Sequence, residues 1–163
     1  MYILPEKFNN KGFTLIEALM ALVVLTIALG PSLILTTNIN NTAAVVKNNL
    51  VAANLTQEGI EVIRGIRDTN WFNGTAFDTG LANGTYRIEW NSDTLIALGT
   101  NPPIKEANGL YNYSTGNNTI FRRTISILKV NAGELRIISE VTWEQRGGIA
   151  KSAIAESHLF NWK

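Results

Sequence analysis

Residues 11–35 of this 163-residue chain read KGFTLIEALMALVVLTIALGPSLIL. Residues 18–35 carry no charge, and between residues 13 and 35 the only charged side chain is that of Glu17. A bilayer core of about 30 Å needs about 20 helical residues, so this segment is long enough to cross a membrane. The sequence therefore predicts one membrane-spanning helix near the N-terminus, followed by one polar domain.

The composition excludes several classes of function. The chain has no cysteine, which excludes disulfides and cysteine-ligated zinc. It has one histidine, His158, which we interpret as a structural residue that is half-buried or at the surface. A net charge of +1 argues against a broad surface for nucleic acid, and we interpret Arg122 and Arg123 as a solvated face. Because no nucleophile–base pair can be assigned, we expect no enzyme activity, no cofactor and no metal. We expect the four tryptophans to anchor the core: Trp71, Trp90, Trp143 and Trp162.

The apolar segment is longer than the core of a secretory signal peptide, which has about 7–15 residues before a cleavage site with small residues. A plain signal anchor fits its length, with Lys7 and Lys11 retained in the cytoplasm. Neither interpretation explains Glu17, because a carboxylate deep in a membrane costs about 2.5–3.5 kcal/mol. Glu17 is therefore either a functional group with a nearby partner or a solvated side chain at the level of the lipid headgroups.

Residues 11–17, KGFTLIE, resemble the processing site of type IV prepilins and of type II secretion pseudopilins. The matching features are a short basic leader that ends in Gly12, a phenylalanine, a glutamate as the fifth residue after the glycine, and an apolar run. The resemblance implies cleavage between Gly12 and Phe13 by a prepilin peptidase and N-methylation of Phe13. It also implies that Glu17 pairs with the terminal amine of a neighbouring subunit. Softer resemblances near the helix end and in the last hairpin favour a minor pilin.

The resemblance also implies partners and a location. The partners are the prepilin peptidase, other pilin subunits, an inner-membrane assembly platform, and membrane lipid before assembly. The location is first the inner membrane, crossed once with the head outside the cytoplasm, and then a surface pilus or a periplasmic pseudopilus. Two alternatives stay open: a pseudopilin of type II secretion, and a signal-anchored extracytoplasmic binding or adhesive domain that does not assemble.

The helix is predicted to continue from Phe13 to about Arg67, with a kink or a locally melted segment at Gly30 and Pro31, because proline removes one backbone hydrogen bond. Two apolar stripes at helical spacing support this prediction: Ile39, Ala43, Val46, Leu50, Ala53, Ile60, and Ala52, Leu55, Gly59, Val62, Ile66. The predicted segments are a cleaved leader (1–12), a membrane and filament-core helix (13–35), an amphipathic helix half (36–67) and a globular β-sheet head (68–163).

From residue 68 onward, turn signals and alternating patterns predict strands. The predicted strands are residues 85–90, 121–130, 135–144 and 149–162, with a long loop at residues 92–119. Connections as short as those at 131–133 and 146–148 make neighbouring strands pair antiparallel. The predicted fold class is α+β, with a long N-terminal helix packed on an antiparallel β-meander of about four strands. The resemblance implies that this is the pilin fold.

Overall fold

The computed structural model describes residues 12–162, so the predicted leader up to Lys11, including Lys7, lies outside the described residues. The described chain begins with one helix, α1 (Leu15–Phe72), and continues with eight strands. It forms two compact units that divide between Ala44 and Val45. The α+β class is confirmed, with one long N-terminal helix and antiparallel strands.

The first unit is a helical stretch whose side chains face outward. Every side chain between residues 12 and 36 is exposed, and most are large and apolar. The hydroxyl groups in this stretch bond to the helix itself: Thr26 Oγ1 donates to Val23 O at 2.8 Å, and Ser32 Oγ donates to Ala28 O at 2.9 Å. An apolar surface with internally satisfied polar groups is suited to lipid or to other apolar helices.

In the second unit, one face of α1 is buried. The two predicted stripes have different environments, because most of the first stripe precedes the packed part of the helix, whose buried positions begin at Ala52. The stripe Ala52, Leu55, Gly59, Val62, Ile66 is buried, except for the half-buried Val62. In the other stripe, Ile39 of the first unit is 58% exposed, and Val46 and Leu50 of the second unit are 59% and 61% exposed. One stripe therefore anchors α1 in the core, and most of the other is left on the surface.

The helix ends at Phe72, five residues after the predicted end near Arg67. Gly74 has a φ of 70°, the left-handed conformation that commonly ends a helix. Two contacts hold the last turn: the Arg67 guanidinium lies 4.5 Å from the ring centre of Trp71, and Trp71 Nε1 donates to Asn161 Oδ1 at 3.3 Å. These contacts stabilise helical residues beyond the end that the apolar pattern indicated.

The strands form two antiparallel sheets. The larger has the order β2-β1-β6-β7-β8 and the smaller has the order β4-β3-β5. The strands are β1 (Gly84–Arg87), β2 (Ile96–Ala97), β3 (Lys105–Ala107), β4 (Leu110–Asn112), β5 (Asn117–Asn118), β6 (Arg122–Asn131), β7 (Glu134–Gln145) and β8 (Ile149–Phe160). The hairpins β6–β7 and β7–β8 are the longest pairings, and they turn where the sequence predicted.

The predicted long loop at residues 92–119 was wrong, because this stretch contains β2 to β5. Asn108 and Gly109 have φ values of 53° and 80°, as a tight hairpin turn requires, and they join β3 to β4. Ile104 is fully buried, and its N–H donates to Phe121 O at 2.8 Å. Strands of two or three residues are too short to produce an alternating pattern, so only the turn residues were visible in the sequence.

The prediction of a solvated face at Arg122 and Arg123 was wrong for Arg123, which is fully buried. Its Nη1 donates to Glu58 Oε1 at 2.8 Å and to Leu55 O at 3.0 Å, and its Nη2 donates to Ile88 O at 2.6 Å. Successive strand residues point to opposite faces, so one arginine of the pair is exposed and the other lies against α1.

The prediction that all four tryptophans anchor the core was wrong for two of them. Trp143 is 6% exposed and belongs to one core cluster, and Trp71 is partly buried against a second core cluster. Trp90 and Trp162 are 48% and 69% exposed. Both lie outside the long strands, Trp90 in the connection after β1 and Trp162 beyond the end of β8, so the strand pattern does not bury them.

Gly59 determines how closely α1 approaches the large sheet. A Cβ at this position would lie 2.5 Å from Ser139 Oγ and 2.7 Å from Ile125 Cδ1. Both neighbours are fully buried, so a side chain at residue 59 must displace packed atoms. Overpacking of this kind typically costs about 1–3 kcal/mol.

We expect Gly59→Ala to lower the free energy of unfolding by up to about 2 kcal/mol, the overpacking cost less the gain in helix propensity of about 1 kcal/mol. Gly65 is the matched control, since a Cβ there would meet no atom within 4 Å. Gly65→Ala should therefore raise the free energy of unfolding by about 1 kcal/mol. Thermal unfolding in detergent, followed by circular dichroism, measures both variants. Equal shifts in the same direction would contradict the close approach at Gly59.

Candidate functional site

The candidate processing site lies at the start of the described chain, just before α1. Gly12 and Phe13 are both exposed, Phe13 to 81%. A Cβ at Gly12 would meet no atom within 4 Å, so packing within this chain does not require glycine there. A glycine that the fold does not need is consistent with a backbone that must enter a protease cleft without a side chain.

Thr14 caps the N-terminus of α1, and Glu17 lies in its first turn. Thr14 Oγ1 accepts a hydrogen bond from the Glu17 N–H at 3.3 Å, and Thr14 O accepts one from the Ala18 N–H at 3.1 Å. The spacing Thr-x-x-Glu is that of a capping box, and a carboxylate in the first turn is stabilised by the helix dipole. The position of the Glu17 carboxylate at the helix N-terminus is thus favourable in itself, which was not predicted from the sequence.

Phe13 lies just before α1 and Glu17 lies in its first turn, and both border the same surface groove. They line a shallow apolar groove together with Met20, Ala21, Val24, Leu25 and Ala28. Among the described residues that line this groove, Glu17 carries the one charged group. No basic side chain among residues 12–162 forms an ion pair with it. In an apolar environment this carboxylate requires a cationic partner from elsewhere or a position near the headgroups.

Gly30 and Pro31 lie inside α1, and the helix continues through both residues. Proline lacks the N–H that would donate to the carbonyl four residues earlier, that of Ile27. A Cβ at Gly30 would meet no atom within 4 Å, so the site has room for a change of helix geometry. The predicted kink or local melting at these two residues stays a prediction.

Within the described residues, α1 is the one helix with a segment long and apolar enough to cross a membrane. The apolar window lies near the N-terminus, and none of it is buried against the rest of the chain. The core helix of a soluble protein of this length would bury most of such a window. The exposure of this segment therefore favours a membrane or other apolar helices as its surroundings.

His158 lies on β8 in a surface network of charged side chains. Its Nδ1 is 2.6 Å from Glu134 Oε1, and its Nε2 is 3.3 Å from Glu156 Oε1. The hydrogen bond to Glu134 raises the pKa of His158, while the hydrogen bond from Arg136 lowers the pKa of Glu156. In the part of the chain that the structure describes, no group of three or more histidine and carboxylate side chains could hold a metal ion.

Comparison with known proteins identifies the N-terminal segment. Residues 7–33 match the family model of the prokaryotic N-terminal methylation motif, which is the signature of type IV pilins and pseudopilins. No curated protein and no solved structure matches the chain significantly. The resemblance of residues 11–17 to a prepilin processing site is thus confirmed at the level of this signature. The motif implies processing by a peptidase and assembly with other pilin subunits, and the proteins that carry it are structural rather than catalytic.

Proposed function

We propose that this protein is a structural subunit of a type IV pilus-like filament, most similar in kind to a minor pilin. Prepilin peptidase cleaves it between Gly12 and Phe13, the new terminus at Phe13 is N-methylated, and the apolar half of α1 then packs in the filament. The observation that carries the proposal is the methylation motif at residues 7–33, which leads directly into an exposed apolar helix with one carboxylate.

Before assembly the protein is anchored in the inner membrane by residues 13–35. Lys7 and Lys11 stay on the cytoplasmic side with the leader, as the distribution of positive charge in membrane proteins predicts, and the head lies outside the cytoplasm. The proposed partners are the prepilin peptidase, membrane lipid, an inner-membrane assembly platform and other pilin subunits. The exposed stripe at Ile39, Val46 and Leu50 supports assembly, because it extends the apolar surface of α1 beyond the membrane segment.

The chemistry of assembly depends on Glu17 and the amine that cleavage creates at Phe13. Two unit charges about 4 Å apart attract by about 4 kcal/mol at an effective dielectric constant near 20, before the cost of desolvation. Within one subunit the helix cap already positions the Glu17 backbone, and its carboxylate has no basic partner among the described residues. We therefore assign the Phe13 amine of a neighbouring subunit as the partner of Glu17.

We expect Glu17→Ala to leave cleavage intact and to reduce incorporation into filaments at least tenfold, since each unpaired charge in an apolar contact costs several kcal/mol. Mass spectrometry of the N-terminus reports cleavage and methylation, and immunoblots of sheared filaments report incorporation. Glu61→Ala is the matched control, because Glu61 is an exposed carboxylate of α1 outside the apolar segment. An intact Met1 in assembled material would contradict the processing site.

The same experiment separates the proposal from its alternatives. In a signal-anchored domain that does not assemble, Glu17→Ala should be neutral or should improve membrane insertion, and no sheared fraction should contain the protein. In a type II secretion pseudopilin, processing should occur, and the protein should remain in the periplasmic and membrane fractions.

A further inference from the structure

A cleft in the second unit lies between α1 and the turn that follows β1. It has a volume of about 480 Å³, within the range of about 300–1,000 Å³ that small-molecule sites occupy. Gly65 lies on the α1 side, between the apolar side chains of Val62 and Ile66, and Trp90, Asn91 and Asp93 line the opposite side. The residues that line the cleft lie between Glu58 and Asp93, far along the chain from the candidate processing site at Gly12 and Phe13.

Gly65 keeps this cleft open at a cost to helix stability. A glycine in a helix interior is less favourable than alanine by about 1 kcal/mol. At Gly59 the fold needs the missing side chain, but at Gly65 a Cβ would meet no atom within 4 Å. The packing of this chain therefore gives no reason for glycine at residue 65, whereas a ligand in the cleft would.

Trp90 forms part of the cleft wall and is fixed by a turn. The Ser92 N–H donates to Glu89 O at 3.1 Å, and Ser92 Oγ accepts from the Glu89 N–H at 2.8 Å. The Glu89 carboxylate anchors this turn to the residue that follows β4, since it accepts from the Tyr113 N–H at 2.8 Å. The chain thus presents an indole that is 48% exposed from a held backbone, although burial would stabilise this side chain more.

We propose that this cleft binds an uncharged saccharide. The C–H face of a sugar ring packs against the indole of Trp90, and Asn91, Asp93 and Thr69 supply amide, carboxylate and hydroxyl groups for the sugar hydroxyls. Among the described residues no lysine or arginine lines the cleft, whereas the carboxylates Glu58, Glu61 and Asp93 do, so anionic ligands are disfavoured. This inference goes beyond assembly and does not rest on the proposed filament.

The test uses full-length protein in a polyoxyethylene detergent, which is uncharged and has no sugar headgroup. Maltotriose, cellotriose and triacetylchitotriose are titrated while tryptophan fluorescence and saturation-transfer NMR are recorded. We expect saturable binding of at least one of these sugars. Trp90→Ala and Gly65→Leu should each weaken it at least tenfold, the second by filling the cleft without disturbing the core.

Two controls make the result decisive. Trp162→Ala removes another exposed tryptophan and should leave the binding constant unchanged. Thermal unfolding of Gly65→Leu should match or exceed that of the unaltered protein, because its side chain enters open space. Absence of saturable binding to all three sugars overturns the proposal. It is also overturned if Gly65→Leu binds as well as the unaltered protein, or if the cleft variants impair only contacts with other proteins.

Discussion

Arg123→Leu is expected to lower the free energy of unfolding by about 3 kcal/mol. Arg123 is fully buried and joins α1 to the end of β1 through Leu55 O, Glu58 and Ile88 O. Removing one partner of a buried ion pair typically costs about 3–5 kcal/mol. We expect a cost at the lower end of this range because the Glu58 side chain is 31% exposed. Water can therefore solvate the carboxylate once its arginine partner is removed. Denaturant or thermal unfolding in detergent measures the change.

Arg122→Leu is the matched control, because Arg122 is the neighbouring residue on the exposed face of β6. Surface substitutions usually change stability by less than about 0.5 kcal/mol, although Arg122 also donates to Asn101 O. The double variant Arg123→Leu with Glu58→Leu should recover part of the loss, since it leaves no unpaired charge. Equal effects of the two arginine substitutions would contradict the buried bridge.

The long elements of this fold could be predicted because their patterns span many residues. In residues 121–160, apolar and polar side chains alternate, and turn residues interrupt the pattern at 131–133 and 146–148. The observed hairpins β6–β7 and β7–β8 match this pattern. The short strands between β1 and β6 were not predicted. Strands of two or three residues are specified by tertiary contacts, such as that of Ile104 with Phe121, rather than by a periodic sequence pattern. For the same reason the pair at residues 122–123 gave no indication of which arginine is buried.

The candidate processing site was visible because its chemistry is local in sequence. Gly12, Phe13 and Glu17 lie within six residues. The leader, the scissile bond and the carboxylate can therefore be identified from the sequence without knowledge of any tertiary contact. The cleft beside Gly65 and Trp90 could not be found in this way, since α1 and the turn after β1 meet only in the folded head. Trp90 was even predicted to be a core residue, because large aromatic side chains usually anchor cores.

The fragment of residues 37–163 is expected to be a soluble, folded monomer, whereas the full-length protein should require detergent or lipid. The side chains of residues 13–36 are all exposed, and their apolar area far exceeds the few hundred Å² that a soluble monomer usually exposes. The buried positions of α1 begin only at Ala52, so the fragment retains the whole packed face of the helix. Gel filtration gives its oligomeric state, and circular dichroism with thermal unfolding gives its fold.

A shorter fragment, residues 61–163, tests the reason for this expectation. It lacks Ala52 and Leu55, which pack in the core, and Glu58, which pairs with Arg123. Burying a leucine side chain contributes about 2 kcal/mol, so these losses together approach the total stability of a small domain. We therefore expect the shorter fragment to be unfolded or aggregated. If residues 37–163 also aggregate while the full-length protein is soluble and monomeric without detergent, residues 13–35 belong to a buried core helix. The filament proposal then fails with the membrane anchor.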